Sequence, residues 1–337
     1  MVLAIDEFDY ELPDAAIAQT PVEPRDAAKL LDALDASARR HLTVRDLPSL
    51  VEPGDVIVVN DTRVIPARLA LFKETGGAVE VMLIDPIDES GGPWRALVRP
   101  GRRVKPGTVL RNATGTGIIE VGDDLGQGVR RVAALGDNSI LDIAHQVGQV
   151  PLPPYITSGY DDADRYQTVY ARNDRSVAAP TAGLHFTPEL LQACRTAGAS
   201  LQTVELAVGL GTFRPILVND VHEHQMHAER FTVSDEVLAA CEQANRVIAI
   251  GTTSVRALES AATLGRAEGA TELFISPGYE FKVVDVLLTN FHQPKSSLLV
   301  MLAAFAGDSW RDLYADALDA KYRFLSFGDA MIVSREC

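Results

Sequence analysis

The chain has 337 residues, 47% of them hydrophobic and 23% charged, with a formal net charge of −15. Such a balance fits a globular protein of about two domains. So acidic a balance disfavours nonspecific nucleic-acid binding, because that affinity rests on neutralising phosphates. No apolar run reaches the roughly 18 residues of a membrane span. Residues 1–7 turn acidic at once, which argues against a secretory leader. Cys194, Cys241 and Cys337 are odd in number and far apart, and read as reduced thiols rather than a disulfide framework or a zinc set.

Residues 1–57 have a mixed pattern, with a helix predicted over 13–19 and strands over 30–35 and 55–60. Short β-rich runs then recur at 64–72, 79–84, 94–98, 108–110, 117–121 and 129–135. Gly76-Gly77, Gly91-Gly92-Pro93, Pro100-Gly101 and Pro106-Gly107 separate them, as in a small sandwich or barrel. A helix follows at 142–147, and Pro151-Leu-Pro153-Pro154 marks a stiff exit. Beyond residue 151, helices are predicted at 188–197, 235–245, 254–264, 298–304 and 309–321. Strands are predicted between them at 201–208, 246–250, 272–274 and 284–288. This alternation favours a partly parallel sheet covered by helices. The arrangement expected is an α/β domain formed by 1–57 and 150–337, with a β-rich domain, 58–149, inserted in it.

Several segments have the composition of a site. Ser176-Val-Ala-Ala-Pro180-Thr181-Ala-Gly183-Leu-His185-Phe-Thr187 ends on Thr-Pro, a helix start. It delivers His185 near the positive end of a helix, which suits a polar ligand and a proton-handling group, or equally a tight turn with a packed His. Val247-Ile-Ala-Ile250-Gly251-Thr252-Thr253-Ser254 reads as strand, polar turn and helix, the usual place for a ligand in an α/β sheet. Arg256 and Glu259 share a face of that helix and are predicted to pair. The Gly209/Gly211 turn, with Thr212 and Phe213, allows close backbone approach, for a ligand or for a bulge. Thr289-Asn290-Phe-His292-Gln-Pro-Lys295 gathers polar groups at a strand end. Asn60-Asp61-Thr-Arg63 lies at the predicted domain junction; Asp61 there is a proton acceptor or a partner of Arg63 or Arg68. His224, His227 and Glu229 suggest metal ligands, yet the HExxH pattern is missing and no metal is expected. Between Trp94 and Arg111 stand six basic residues and no acid. They make a phosphate-facing patch or a set of protected strand edges.

Taken in order, these segments resemble the S-adenosylmethionine:tRNA ribosyltransferase-isomerase family of queuosine biosynthesis. The resemblance runs from Phe8-Asp-Tyr10-Glu-Leu-Pro13 through NDTRVIPARL (60–69), PLPPYI (151–156), VAAPTAGLHFT (177–187) and VGLGTFRP (208–215). It continues through HQMHAE (224–229), GTTSVRALES (251–260), PGYEFKVVD (277–285), TNFHQPKS (289–296) and SFGDAM (326–331). It implies a larger mixed α/β domain with an inserted small all-β barrel. It also implies a reaction in which S-adenosylmethionine, as co-substrate and not a bound cofactor, gives its ribosyl group to 7-aminomethyl-7-deazaguanine in tRNA, releasing adenine and methionine. A cytoplasmic monomer is expected, with no membrane partner. His185, His227, His292 and Asp61 are then the candidate proton carriers. Thr252 and Thr253 are candidates for ribose or adenine, and Lys295 or Arg256 for the methionine carboxylate. Asn60, Arg63, Arg68, Thr181, Gly183, Thr187, Gly209, Gly211, Thr212, Phe213, Glu229, Tyr279 and Asn290 are further substrate-binding candidates. Arg99, Arg102, Arg103 and Lys105 are the candidate tRNA contacts. The chain departs from the family in having Ala207 where His is common, Arg175 where a small residue is usual, and a shorter loop over 265–272. A paralogue using another amine acceptor, or a metal-dependent hydrolase, remains an alternative.

Overall fold

Val56-Ile-Val-Val-Asn60, Val247-Ile-Ala-Ile250 and Val286-Leu-Leu-Thr-Asn290 are almost unbroken apolar runs, and each residue of each is buried. A strand is apolar at successive positions only when both of its faces are covered, as in the centre of a parallel sheet. The computed structural model describes residues 2–88, 91–126, 128–160, 162–209 and 215–335. It divides into two compact units: Met1–Thr62, Pro153–Asn173 and Ala179–Cys337 form the first, and Arg63–Leu152 with Asp174–Ala178 form the second.

Along the chain come β1 (Lys29–Ala33), β2 (Arg40–Thr43), β3 (Val56–Asn60) and β4 (Thr62–Val64). Next are β5 (Arg68–Lys73), β6 (Ala78–Pro86), β7 (Trp94–Arg99), β8 (Thr108–Arg111), β9 (Gly117–Gly126), β10 (Val129–Ala134), α1 (Ile140–Val147) and β11 (Gly148–Gln149). Then follow β12 (Asn173–Ser176), α2 (Pro188–Thr196), β13 (Ser200–Leu206), β14 (Glu229–Thr232), α3 (Asp235–Glu242), β15 (Val247–Ile250) and α4 (Thr252–Leu264). The chain closes with β16 (Glu268–Thr271), β17 (Val286–Asn290), α5 (Ser297–Ala306), α6 (Trp310–Asp319) and β18 (Ala330–Ser334).

In the first unit the sheet order is β16-β14-β13-β3-β15-β17-β18-β1-β2. β13, β3, β15 and β17 run parallel to one another, so their C-terminal ends share one edge. Side chains alternate between two cores, as the two-residue strand period requires. Val56, Val58, Val247, Ala249 and Leu287 face a core completed by α4, α5 and α6. Ile57, Val59, Ile248, Ile250, Val286 and Leu288 face a core completed by α2 and the turn at Val44–Ser49.

The second unit is a closed antiparallel barrel in the order β5-β6-β7-β10-β9-β8, shut by pairing of β8 with β5 and extended by β11. Its strands alternate between buried and exposed residues, and Leu69, Leu71, Val81, Trp94, Val98, Leu110, Ile119 and Val132 fill the interior. Ser139 caps α1 through a reciprocal bond with Asp142. Among the described residues no helix is long and apolar enough to cross a membrane.

The structure corrects several predicted elements. The segment 13–19 is only a short 3-10 turn, Asp14–Ala16, because its backbone bonds to Phe324 instead: Ala18 N–H donates to Phe324 O (3.2 Å) and Phe324 N–H to Ala16 O (2.8 Å). The run 64–72 is broken at Pro66, which cannot join a ladder, so β5 starts at Arg68. The strand expected at 272–274 lies earlier, as β16, where Glu-Gly-Ala-Thr has little strand propensity and pairing with β14 decides. β2, β14 and β18 have no counterpart among the predicted elements.

Gly148 opens β11 in a space where an added Cβ would lie 2.0 Å from Pro66 O and 2.4 Å from Ala144 O. Gly148→Ala is therefore expected to destabilise the protein by about 3 kcal/mol through overpacking. A lower urea midpoint at constant slope is the expected reading; an unchanged midpoint would show that the backbone yields freely.

Candidate active site

The polar turns that follow the parallel strands converge on an open cleft of the first unit. Thr181 lines it from the turn Thr181–His185, Gly251, Thr252 and Thr253 from the end of β15, and Thr289, Asn290 and His292 from the end of β17. Val208, Tyr155, Ser296 and Ser326 complete the wall. Gly251 has φ +83°, a conformation that suits glycine, and it turns the chain straight from β15 into α4. The first-turn N–H groups of α4 have no carbonyl within their own helix, which makes its N-terminus electropositive. Ser296 caps α5 at the same cleft, its Oγ accepting from Leu299 N–H at 3.2 Å.

Hydrogen bonds order the polar wall. Thr181 Oγ1 donates to Asn290 Oδ1 (2.9 Å), which leaves the Asn290 amide nitrogen to face His185 Nε2 at 3.3 Å. His185 Nε2 is thus the acceptor and its proton sits on Nδ1. His292 Nε2 lies 3.0 Å from Thr289 Oγ1. Both rings are buried, and burial pulls both down to a pKa of about 3; Arg165, Arg323 and Arg25 add to the effect at His185. Both are therefore neutral at neutral pH. His185 also borders a second, smaller cleft with Arg25, Arg165 and Phe327.

The other candidate residues fall outside this wall. Asp61, at the end of β3, is buried, and burial and the neighbouring Glu205 hold its carboxyl above the usual range, against the Thr203 hydrogen bond and Arg172. The Asn60 side chain joins β3 to β13, donating to Leu206 O (3.0 Å) and accepting from Leu206 N–H (3.3 Å). Of the two arginines considered as partners of Asp61, Arg63 lies 3.8 Å from Asp174 and Arg68 pairs with Glu80 at 2.7 Å. Thr187 caps α2, its Oγ1 accepting from Leu190 N–H at 3.1 Å. Gly183 makes room for Tyr170, whose Oη lies 2.0 Å from where a Cβ would stand. His227 is exposed. Gly211, Thr212 and Phe213, like Cys337, lie outside the described residues, while Cys194 and Cys241 are free and buried thiols.

The expected Arg256–Glu259 pair is also replaced. Arg256 is buried and forms its ion pair with Glu229, while donating to Leu273 O (3.0 Å), Thr271 O (3.2 Å) and His227 O (3.3 Å). Glu229 Oε1 accepts from Gly209 N–H at 3.0 Å, so one buried pair ties Gly209 to α4. Glu259 is buried and accepts from the N–H groups of Lys282 (2.9 Å), Val283 (3.0 Å) and Val284 (3.0 Å) and from Tyr279 Oη (3.1 Å). The same phenol, Tyr279, is pushed up to about 12 by burial. Lys295 pairs with Asp6 (2.7 Å) and Asp9 (3.1 Å). Glu229 is thus engaged by Arg256, and among the described residues no group of three His, Cys, Asp or Glu is placed to hold a metal. In the second unit Arg99, Arg102, Arg103 and Lys105 are exposed, whereas Arg95 pairs with Asp85 and Arg111 with Glu74. Sequence reasoning missed Tyr155 and Ser326, whose hydroxyls lie 2.6 Å apart at the cleft, because neither stands in a polar cluster.

Comparison with known proteins covers nearly the entire chain. Residues 5–333 match the family described as queuosine biosynthesis protein. The S-adenosylmethionine:tRNA ribosyltransferase-isomerase of Natranaerobius thermophilus is 45% identical over 98% of this chain and 99% of its own length. That of Rubrobacter xylanophilus is 47% identical over 97% of each. Among solved structures, S-adenosylmethionine tRNA ribosyltransferase from Thermotoga maritima superposes with a TM-score of 0.54 at 36% identity, covering 97% of this chain and 99% of that one.

The two buried histidines predict acid sensitivity. Their rings titrate near 6.5 when unfolded and near 3 when folded. Between those values the unfolded chain binds more protons, so stability falls as pH drops from 6.5 towards 3. Each ring is expected to cost about 2 kcal/mol at pH 5 relative to pH 7.5. Thermal unfolding at both pH values is expected to show a smaller acid loss in His185→Gln and His292→Gln; an unaltered loss would place the sensitivity elsewhere.

Proposed function

Because the chain belongs to the queuosine biosynthesis protein family, we propose that it transfers and isomerises the ribosyl group of S-adenosylmethionine onto 7-aminomethyl-7-deazaguanine in tRNA. The products are epoxyqueuosine-tRNA, adenine and methionine. It is thus a transferase and isomerase with S-adenosylmethionine and tRNA as substrates. The observation that carries this is end-to-end similarity, 45 and 47% identity over 98 and 97% of the chain, to relatives named for that activity. No permanently bound cofactor is needed, since the sulfonium itself activates the ribose. We take the cytoplasm, where tRNA is modified, as its place of action, and a monomer as its working form.

The chemistry makes two demands. The sulfonium acidifies the adjacent C5′ proton, so a neutral base must receive it; departing adenine must then be protonated. His292 lines the cleft, its Nε2 3.0 Å from Thr289 Oγ1, and this placement supports it as the base. His185 stands one hydrogen bond behind, through Asn290. Asp61, outside the cleft wall at the end of β3, is the candidate for the acid, its carboxyl held above the usual range by burial and Glu205. Thr181, Thr252, Thr253 and Asn290 supply hydroxyl and amide groups for ribose and adenine. Lys295 and Arg256 are engaged elsewhere, so the N-terminus of α4 is the better receptor for the methionine carboxylate.

The test is chromatographic. Adenine and methionine are expected in equal amounts when the protein meets S-adenosylmethionine and tRNA bearing the aminomethyl base, and neither without that tRNA. His292→Ala is expected to lower the single-turnover rate by roughly 100-fold or more. Release without tRNA dependence, or a full rate in His292→Ala, would sink the reaction or the base assignment respectively.

For tRNA, the exposed Arg99, Arg102, Arg103 and Lys105 of the barrel are the proposed contacts. Neutralising Arg102, Arg103 and Lys105 is expected to flatten the dependence of log affinity on log salt, by roughly 0.7 to 0.9 for each phosphate no longer neutralised. An unchanged slope would move the tRNA-binding surface elsewhere.

A further inference from the structure

The N-terminal Phe8-Asp9-Tyr10 segment is part of the resemblance, but the functional reading leaves it without a role. It meets the turn that carries His292. That turn follows β17 and leaves the sheet, so its buried peptide groups have no ladder partners and must find others. Two phenols supply them. His292 N–H donates to Tyr314 Oη at 2.8 Å, and Tyr10 Oη donates to His292 O at 2.5 Å. The rings of Tyr10 and Tyr314 meet edge to face, 5.0 Å apart at 80°. Trp310 and Phe324 pack around both rings, which fixes their hydroxyls in place.

Further contacts hold the end of the turn. Lys295 N–H donates to Phe8 O at 2.9 Å, and Lys295 Nζ lies between the carboxylates of Asp6 and Asp9. Lys295 has φ +55°, a strained conformation for a non-glycine residue that persists only where surrounding contacts over-determine it. Residues 6–10 supply several of those contacts.

We propose that Tyr10 is a positioning residue for the His292 imidazole, and that residues 6–10 act as the brace that aims this ring into the cleft. This rests on the reading of His292 as the base. A ring held by its own peptide on both sides loses aim when one bond is cut, and a base out of line slows the chemical step more than it weakens binding.

The experiment uses the full chain. Tyr10→Phe removes one oxygen and is expected to lower kcat roughly tenfold, with KM for S-adenosylmethionine within about twofold. The His292 ring signals in histidine-labelled NMR spectra are expected to shift or broaden. In a His292→Ala background, Tyr10→Phe is expected to add no further loss of rate. A normal kcat and unshifted ring signals in Tyr10→Phe, with only a lower Tm, would overturn the proposal while leaving His292 as the base. A full rate in His292→Ala would overturn both and mark the base assignment as the one at fault. Should Tyr10→Phe fold poorly, Lys295→Met releases the Asp6/Asp9 end of the same brace from a half-buried position. It is then expected to shift the ring signals in the same direction, and unshifted signals there would overturn the proposal.

Discussion

The central strands of the sheet are buried on both faces, and the site depends on that constraint. β3, β15 and β17 present apolar side chains to two cores at once, so they have no face on which to carry chemistry. Polar groups can enter only where the strands end. Because these strands are parallel, their C-terminal ends fall on one edge, and the turns after β15 and β17 open onto one cleft. Helix starts follow directly from two of those turns, so the backbone itself contributes positive character to a place that holds polar side chains.

Buried charge in this protein mainly serves as scaffolding. An ion pair out of water gains little net stability, yet losing one partner leaves an uncompensated charge and is costly. Glu229 and Arg256 meet that condition together, and their remaining donors and acceptors are taken up by Gly209 and by the carbonyls of His227, Thr271 and Leu273. Glu259 is satisfied by three successive backbone N–H groups and one phenol. These groups stiffen the walls, and the cleft itself is left to uncharged Thr, Asn and neutral His. These neutral side chains set no fixed cation against a ligand that brings its own positive sulfonium.

The barrel obeys a different rule. Its strands alternate, with one face packed inside the closed barrel and the other exposed. Arg99 takes an exposed position at the end of β7, and Arg102, Arg103 and Lys105 stand exposed in the connection to β8, on an otherwise acidic chain. Nearby Arg95 is held by Asp85 of neighbouring β6 and Arg111 by Glu74 of the turn after β5, so basic residues that look alike in the sequence differ in availability.

What was legible in the sequence was local. The short β-rich runs of the barrel with Gly and Pro between them, the strands near 55–60, 246–250 and 284–288, the Thr187-Pro188 helix start and the polar turns around Thr252 and Asn290 all arise from neighbours a few positions apart. The mixed α/β class with its small barrel followed from those patterns and from the ordered motifs together. Partners distant along the chain were settled by tertiary structure alone. Arg256 faces Glu259 by helical period, yet it pairs with Glu229, 27 positions away, because the sheet brings β14 beneath α4. Lys295 bonds to Asp6 across 289 positions, and Tyr10 to His292 across 282. A residue type and its helical or strand period state which chemistry a side chain carries and which way it faces. Whether that side chain is left for a ligand or used by the fold depends on what packing brings within about 3 Å of it, and no local pattern encodes that distance.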